Sequence, residues 1–147
     1  MRRFLIGLGL VLAALYLWNA SWLAPQPNGQ PRLIAHRGVH QPYTREGLTS
    51  DTCTAKRIDP PRHAFLENTI ASMEAAFIAG ADIVELDIHP TTDGQFAVFH
   101  DWTLDCRTES VGPVRERPMT YLKRLDIGHG YTADRGMTFP FRGMARG

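Results

Sequence analysis

The chain has 147 residues, of which 44% are hydrophobic, a length and composition that suit one globular domain. A formal net charge of +1 excludes a strongly basic nucleic-acid binder, so no nucleic-acid partner is expected. No Walker-type or dinucleotide-type glycine motif occurs, and no nucleotide cofactor is indicated.

Taken in chain order, the first element is apolar. Arg2-Arg3 precede Phe4 to Leu23, interrupted only by Gly7, Gly9, Asn19 and Ser21. About twenty helical residues span about 30 Å, the hydrocarbon thickness of a bilayer. Residues 1–24 are therefore expected to form one transmembrane helix, with Tyr16, Trp18 and Trp22 at the far interface. The arginine pair should stay cytoplasmic, which makes the protein single-pass with its domain periplasmic or extracellular. A cleaved signal peptide is the alternative, although neither Ala20-Ser21-Trp22 nor Trp22-Leu23-Ala24 makes a convincing cleavage site. Residues 25–31, with Pro25, Pro27, Gly29 and Pro31, are expected to be an exposed linker.

From Arg32 onward the pattern is α/β. Leu33 to His36 predicts a first strand, followed by a long polar excursion from Gly38 to Leu66 without helical or alternating period. Glu67-Asn68-Thr69 opens a helix capped by Asn68, with Ile70, Met73, Ala76 and Phe77 as its apolar face and Gly80 as its end. Ile83 to Ile88 predicts a second strand, Thr92-Asp93-Gly94 a turn, and Phe96 to His100 a third strand. Met119 to Leu125 holds one or two helical turns, and beyond Gly128 there is no readable period. If the strands lie parallel, His36, Arg37, Glu85, Asp87 and His100 gather at the carboxyl edge of one sheet, where α/β sheets and barrels bind ligands.

Those residue types suit phosphate chemistry. Glu85 and Asp87 are two apart on an expected strand, hence on one face, and clustered carboxylates suit a hard divalent cation such as Mg2+ or Ca2+. On an edge strand they would instead be merely solvated. Glu67 is either a third metal ligand or compensation for a helix dipole. His36 and His100 each end a strand, and two imidazoles astride a phosphate would supply an acid and a base, although a lone histidine there is often structural. Arg37 could fork onto phosphate oxygens, pair with Glu67 or Glu85, or both. His40, His63, His89 and His129 lack such a setting and are expected at the surface.

The ordered set His36-Arg37-Gly38, Glu67-Asn68, Glu85-Leu86-Asp87 and His100-Asp101 resembles the signature of the glycerophosphodiester phosphodiesterase family, over roughly Leu33 to Tyr131. The resemblance implies a metal-dependent (β/α)8 barrel that hydrolyses glycerophosphodiesters, its small-molecule substrates, to glycerol 3-phosphate and an alcohol. It places a divalent cation on Glu85 and Asp87, phosphate on Arg37, and acid–base roles on His36 and His100, with a cyclic phosphate as the intermediate. Residues 32–147 fall well short of the ~250 residues such a barrel typically needs. The expected architecture is thus the N-terminal portion of a (β/α)8 barrel preceded by a transmembrane helix, ending before a later acidic ligand. A phospholipase D-type lipid-cleaving relative and an inactive truncated membrane fragment are the alternatives. Cys53 and Cys106 would both lie near the barrel mouth, where an exported domain permits a disulfide pinning the long loop.

Overall fold

The computed structural model describes residues 2–25 and 29–144, and forms two units, Met1–Pro31 and Arg32–Gly147. In the first, no charged side chain follows Arg3 through Trp18, and helix α1 runs Arg2–Trp18 with no residue buried. It ends where the Ala20 N–H turns to the Leu17 carbonyl (3.1 Å) in place of the helical partner, while the Asn19 side-chain amide donates to the Leu15 carbonyl (2.9 Å). A short 3-10 turn, Ser21–Leu23, follows. The helix expected through Leu23 therefore stops early, and its 17 residues rise about 26 Å, short of the ~30 Å bilayer core. No helix among the described residues is long and apolar enough to cross a membrane. Residues 26–28 of the expected linker lie outside the described residues.

The second unit is α/β. Strands β1 (Ile34–His36) and β2 (Ile83–Glu85) pair in parallel, with His36 opposite Glu85. Between them lie the long loop and helix α2 (Ile70–Ile78), which completes a β-α-β crossover. Thr69, not Asn68, caps α2: its hydroxyl accepts from the Ser72 N–H at 3.2 Å while Ser72 Oγ accepts from the Thr69 N–H. The expected apolar face is buried only in part, at Ala76 and half at Met73. Ser72 and Ala76 are covered, whereas Ile70 and Phe77 stay exposed. Ser72 is covered because the β1 end crosses it closely: a Cβ on Gly38 would sit 2.6 Å from Ser72 Oγ and 2.8 Å from its backbone carbon. Gly38 also has φ +78°, so only glycine meets both demands.

The expected second strand breaks after Glu85. At Asp87 the backbone N–H donates to the Asn68 side chain (3.3 Å) instead of a strand neighbour. Strand β3 (Ile88–Pro90) then pairs antiparallel with β4 (Phe96–Val98), closed by the Thr91-to-Gln95 turn in which Asp93 accepts from Thr91 Oγ1 (2.6 Å) and the Met119 N–H. The sheet is thus not one parallel layer, and His100 lies beyond β4 rather than on the His36–Glu85 edge.

Helix α3 (Met119–Leu122) continues as tight turns to Leu125. Leu122 and Leu125 join Ala97, Phe99, Leu104 and Val114 in one core. A second core joins the long loop to the C-terminal segment: Ala55, Ile58 and Leu66 pack on Tyr131 and Phe141, beside a disulfide between Cys53 and Cys106. The stretch after Gly128 is held at close range. The Thr132 N–H donates to the Ala55 carbonyl (2.9 Å), and a Cβ on Gly130 would fall 1.9 Å from the Cys106 carbonyl oxygen.

Candidate active site

The parallel register sets the first group. His36 and Glu85 emerge side by side at the carboxyl ends of β1 and β2, with Nε2 and Oε2 3.9 Å apart and side chains 62% and 44% exposed. The next residue, Arg37, turns the chain at φ 62° while its N–H donates to the Glu85 carbonyl (2.9 Å). That backbone turn swings its guanidinium inward: Nε lies 2.9 Å from Asp87 Oδ2, and Nη1 lies 3.7 Å from Glu67 Oε1. The Nε–Asp87 approach is an ion pair without hydrogen-bond alignment. Both ion-pair partnerships are therefore with carboxylates, and Glu85 is reached through the backbone.

Asn68 is the companion of Arg37. It too is left-handed (φ 60°), and its N–H donates to the Arg37 carbonyl at 2.9 Å. Its amide clasps Asp87 from two sides, Nδ2 donating to Oδ2 (3.1 Å) and Oδ1 accepting from the Asp87 N–H (3.3 Å). Neighbouring left-handed non-glycine residues cost about 1–2 kcal/mol each. Such strain persists only where surrounding bonds over-determine it.

Glu67 does not join Glu85 and Asp87. Its buried carboxylate sits between two guanidiniums, 3.7 Å from Arg37 and 2.8 Å from Arg107 Nη1. Among the described residues no three histidine, cysteine or acidic side chains converge as a metal site. The expected same-face pair is also altered, because Asp87 has left the strand.

Arg107 was not legible in the sequence, yet it ties the second histidine to this network. Its guanidinium is buried, with Nε 2.8 Å from Asp101 Oδ2 and Nη2 3.0 Å from Thr54 Oγ1. Nη1 also donates to the Tyr131 hydroxyl. Asp101 in turn accepts from His100 Nδ1 at 2.6 Å. His100 shares the walls of a narrow cleft with Glu67, Asn68, Arg107 and Tyr131. Burial alone would raise the Asp101 pKa, but the hydrogen bond from His100 and the charge of Arg107 outweigh it and hold the carboxyl below its usual range. Burial pushes the Tyr131 hydroxyl up, so it stays protonated. His89, expected at the surface, is buried; Nε2 lies 3.3 Å from the His100 carbonyl and the ring packs edge-on to Trp102. The only sequence signal for Arg107 was its place beside Cys106, six residues after Asp101, in a stretch without periodicity.

A family model, the glycerophosphoryl diester phosphodiesterase family, matches residues 36–141, from the first of these histidines to Phe141 in the second core. The chain belongs to that family. Among curated members, it is 44% identical over 62 residues to a glycerophosphodiester phosphodiesterase of Caldanaerobacter subterraneus subsp. tengcongensis, covering 42% of this chain and 26% of the relative. It is 30% identical over 108 residues to a probable glycerophosphodiester phosphodiesterase 1 of Mycobacterium tuberculosis, covering 74% and 31%. The solved glycerophosphoryl diester phosphodiesterase domain of an uncharacterized protein from M. tuberculosis superposes with a TM-score of 0.55 at 24% identity, over 80% of this chain and 36% of that one. That likeness concerns fold alone. The chain spans roughly a quarter to a third of the length of these curated relatives.

Proposed function

We propose that the chain carries the phosphate-holding and proton-transfer part of an enzyme that hydrolyses glycerophosphodiesters to glycerol 3-phosphate and an alcohol. The observation that carries it is one chain of contacts from His36–Glu85, through Arg37, Asp87 and Glu67, to Arg107, Asp101 and His100. Family membership and the names of the relatives support the same substrate class, and favour it over a phospholipase D-type lipid. The β1-α2-β2 crossover supports an origin in the N-terminal portion of a (β/α)8 barrel.

In this proposal Arg37 offers donors to the phosphate oxygens. The glycerol hydroxyl loses its proton to one histidine and attacks phosphorus, and the other histidine protonates the departing alkoxide. Water then opens the cyclic phosphate with the two roles reversed. Glu85 and Asp87 would hold a divalent cation, Mg2+ or Ca2+, which supplies positive charge to the phosphate. Their donor chemistry fits: both Asp87 side-chain contacts fall on Oδ2, leaving Oδ1 to a cation, and Glu85 is open to solvent. Glu67 is left out of that set, being neutralised by two arginines. The Cys53–Cys106 disulfide, with the Arg2-Arg3 apolar segment, supports a site outside the cytoplasm.

The test is release of glycerol 3-phosphate from a glycerophosphodiester by the folded protein with Mg2+ or Ca2+. Chelator should abolish release, and His36→Ala or His100→Ala should each lower it about 100-fold or more. No release by folded protein, or undiminished release by either variant, would overturn the proposal.

A further inference from the structure

We infer that Arg107 and Asp101 are positioning residues for His100: the buried guanidinium holds the Asp101 carboxylate, and that carboxylate holds the proton of His100 on Nδ1, leaving Nε2 as the atom offered to the reaction. The inference rests on the hydrolase function proposed above, in which His100 carries a proton.

The geometry of Arg107 leaves it no freedom. Its side chain is 4% exposed, and its donors reach five acceptor atoms on four residues. Nε lies 2.8 Å from Asp101 Oδ2 and Nη2 3.4 Å from Asp101 Oδ1, so the planar fork grips both oxygens of one carboxylate. Nη2 also reaches Thr54 Oγ1 at 3.0 Å, and Nη1 reaches Glu67 Oε1 at 2.8 Å as well as the Tyr131 hydroxyl. A lysine could supply the charge but not the fork. Both sides of the grip are anchored by the disulfide, since Thr54 follows Cys53 and Arg107 follows Cys106.

Asp101 transmits this placement. A carboxylate only accepts, so its 2.6 Å contact with His100 Nδ1 requires the proton to sit on Nδ1. In neutral imidazole the other nitrogen, Nε2, then bears the lone pair. The hydrogen bonds and charge that keep the Asp101 carboxyl ionised keep it an acceptor. The main chain at the same residue is held separately, because the His100 carbonyl lies 3.3 Å from His89 Nε2. Backbone and ring of His100 are thus fixed by different partners, and among the described residues only the Asp101 contact selects the tautomer.

A purely structural ion cluster would show the same burial, so the deciding readout is the tautomer. We expect 15N NMR of the folded full chain to show His100 protonated on Nδ1 and bare on Nε2 when neutral. Asp101→Asn, which preserves shape, should replace that single tautomer by a mixture. Arg107→Met should do the same, and Arg107→Lys should not restore the single form. In hydrolysis, Asp101→Asn should lower kcat by roughly 10- to 100-fold with little change in KM. His100 protonated on Nε2 in the parent protein, or one unchanged tautomer in Asp101→Asn, would overturn the inference. Should Arg107→Met fail to fold, the Asp101→Asn spectrum still decides. If the parent protein shows the Nδ1 tautomer but no hydrolysis, the proposed function fails while the positioning stands.

Discussion

Arg37 and Asn68 show how backbone conformation builds the site. Both are non-glycine residues at φ near 60°, linked by a hydrogen bond from the Asn68 N–H to the Arg37 carbonyl. Asparagine tolerates this region better than most residues, and here its amide also clasps Asp87. Asn68→Ala should lose both benefits and destabilise the fold by about 1–2 kcal/mol in urea unfolding. Asn68→Gly should keep most of the stability yet lower the proposed phosphodiesterase activity, because the Asp87 clasp is gone; equal loss of stability in the two variants would refute the strain argument. Asp101 allows a second prediction at this scale. Unfolded, it titrates near the ordinary 3.8, and the folded value is lower. Its contribution is therefore complete above that pH and is lost as pH falls through the folded value. Asp101→Asn should flatten the acid loss of stability that sets in below the ordinary carboxyl value of 3.8, followed by circular dichroism.

At the scale of elements, the long loop is a structural arm and not a free excursion. The disulfide joins residues 53 apart in sequence and lies beside the core of Ala55, Ile58, Leu66, Tyr131 and Phe141. Closing a loop of that length stabilises a fold by about 4 kcal/mol in the chain-entropy picture. Replacing both Cys53 and Cys106 by Ser should cost about 2–4 kcal/mol and speed proteolysis within 38–66 first. Unchanged urea midpoints and cleavage sites would show that the two apolar faces hold the arm without the bridge. The same arm carries Thr54 onto Arg107, so its loosening should also be felt at Asp101.

For the molecule as a whole, the two small cores leave apolar surface uncovered. Ile70, Phe96 and Val98, all exposed, line one open cavity of about 390 Å3 whose floor is the first core. Contiguous exposed apolar surface of this kind favours association. Residues 32–147 expressed alone should bind a hydrophobic dye such as ANS and self-associate, as read by fluorescence and sedimentation. A monomer with a sharp thermal transition and no dye binding would refute this.

Much of the site was legible residue by residue. Short apolar runs ending in His36, Glu85 and His100, the carboxylates and Arg37 were visible because strand ends and charged groups are local features. The β1–β2 register then placed His36 beside Glu85. Other decisions were made only by long-range contacts. Asn68 withdrew Asp87 from β2, and Thr69 took over the cap of α2. Two arginines claimed Glu67, one of them from a segment with no periodicity to announce it. By itself, the sequence determined which chemical groups are present and which short runs extend or coil, since those depend on neighbours a few residues away. Which carboxylate an amide or an arginine claims was decided by contacts between residues 19 to 50 apart, where burial makes every charge seek a partner.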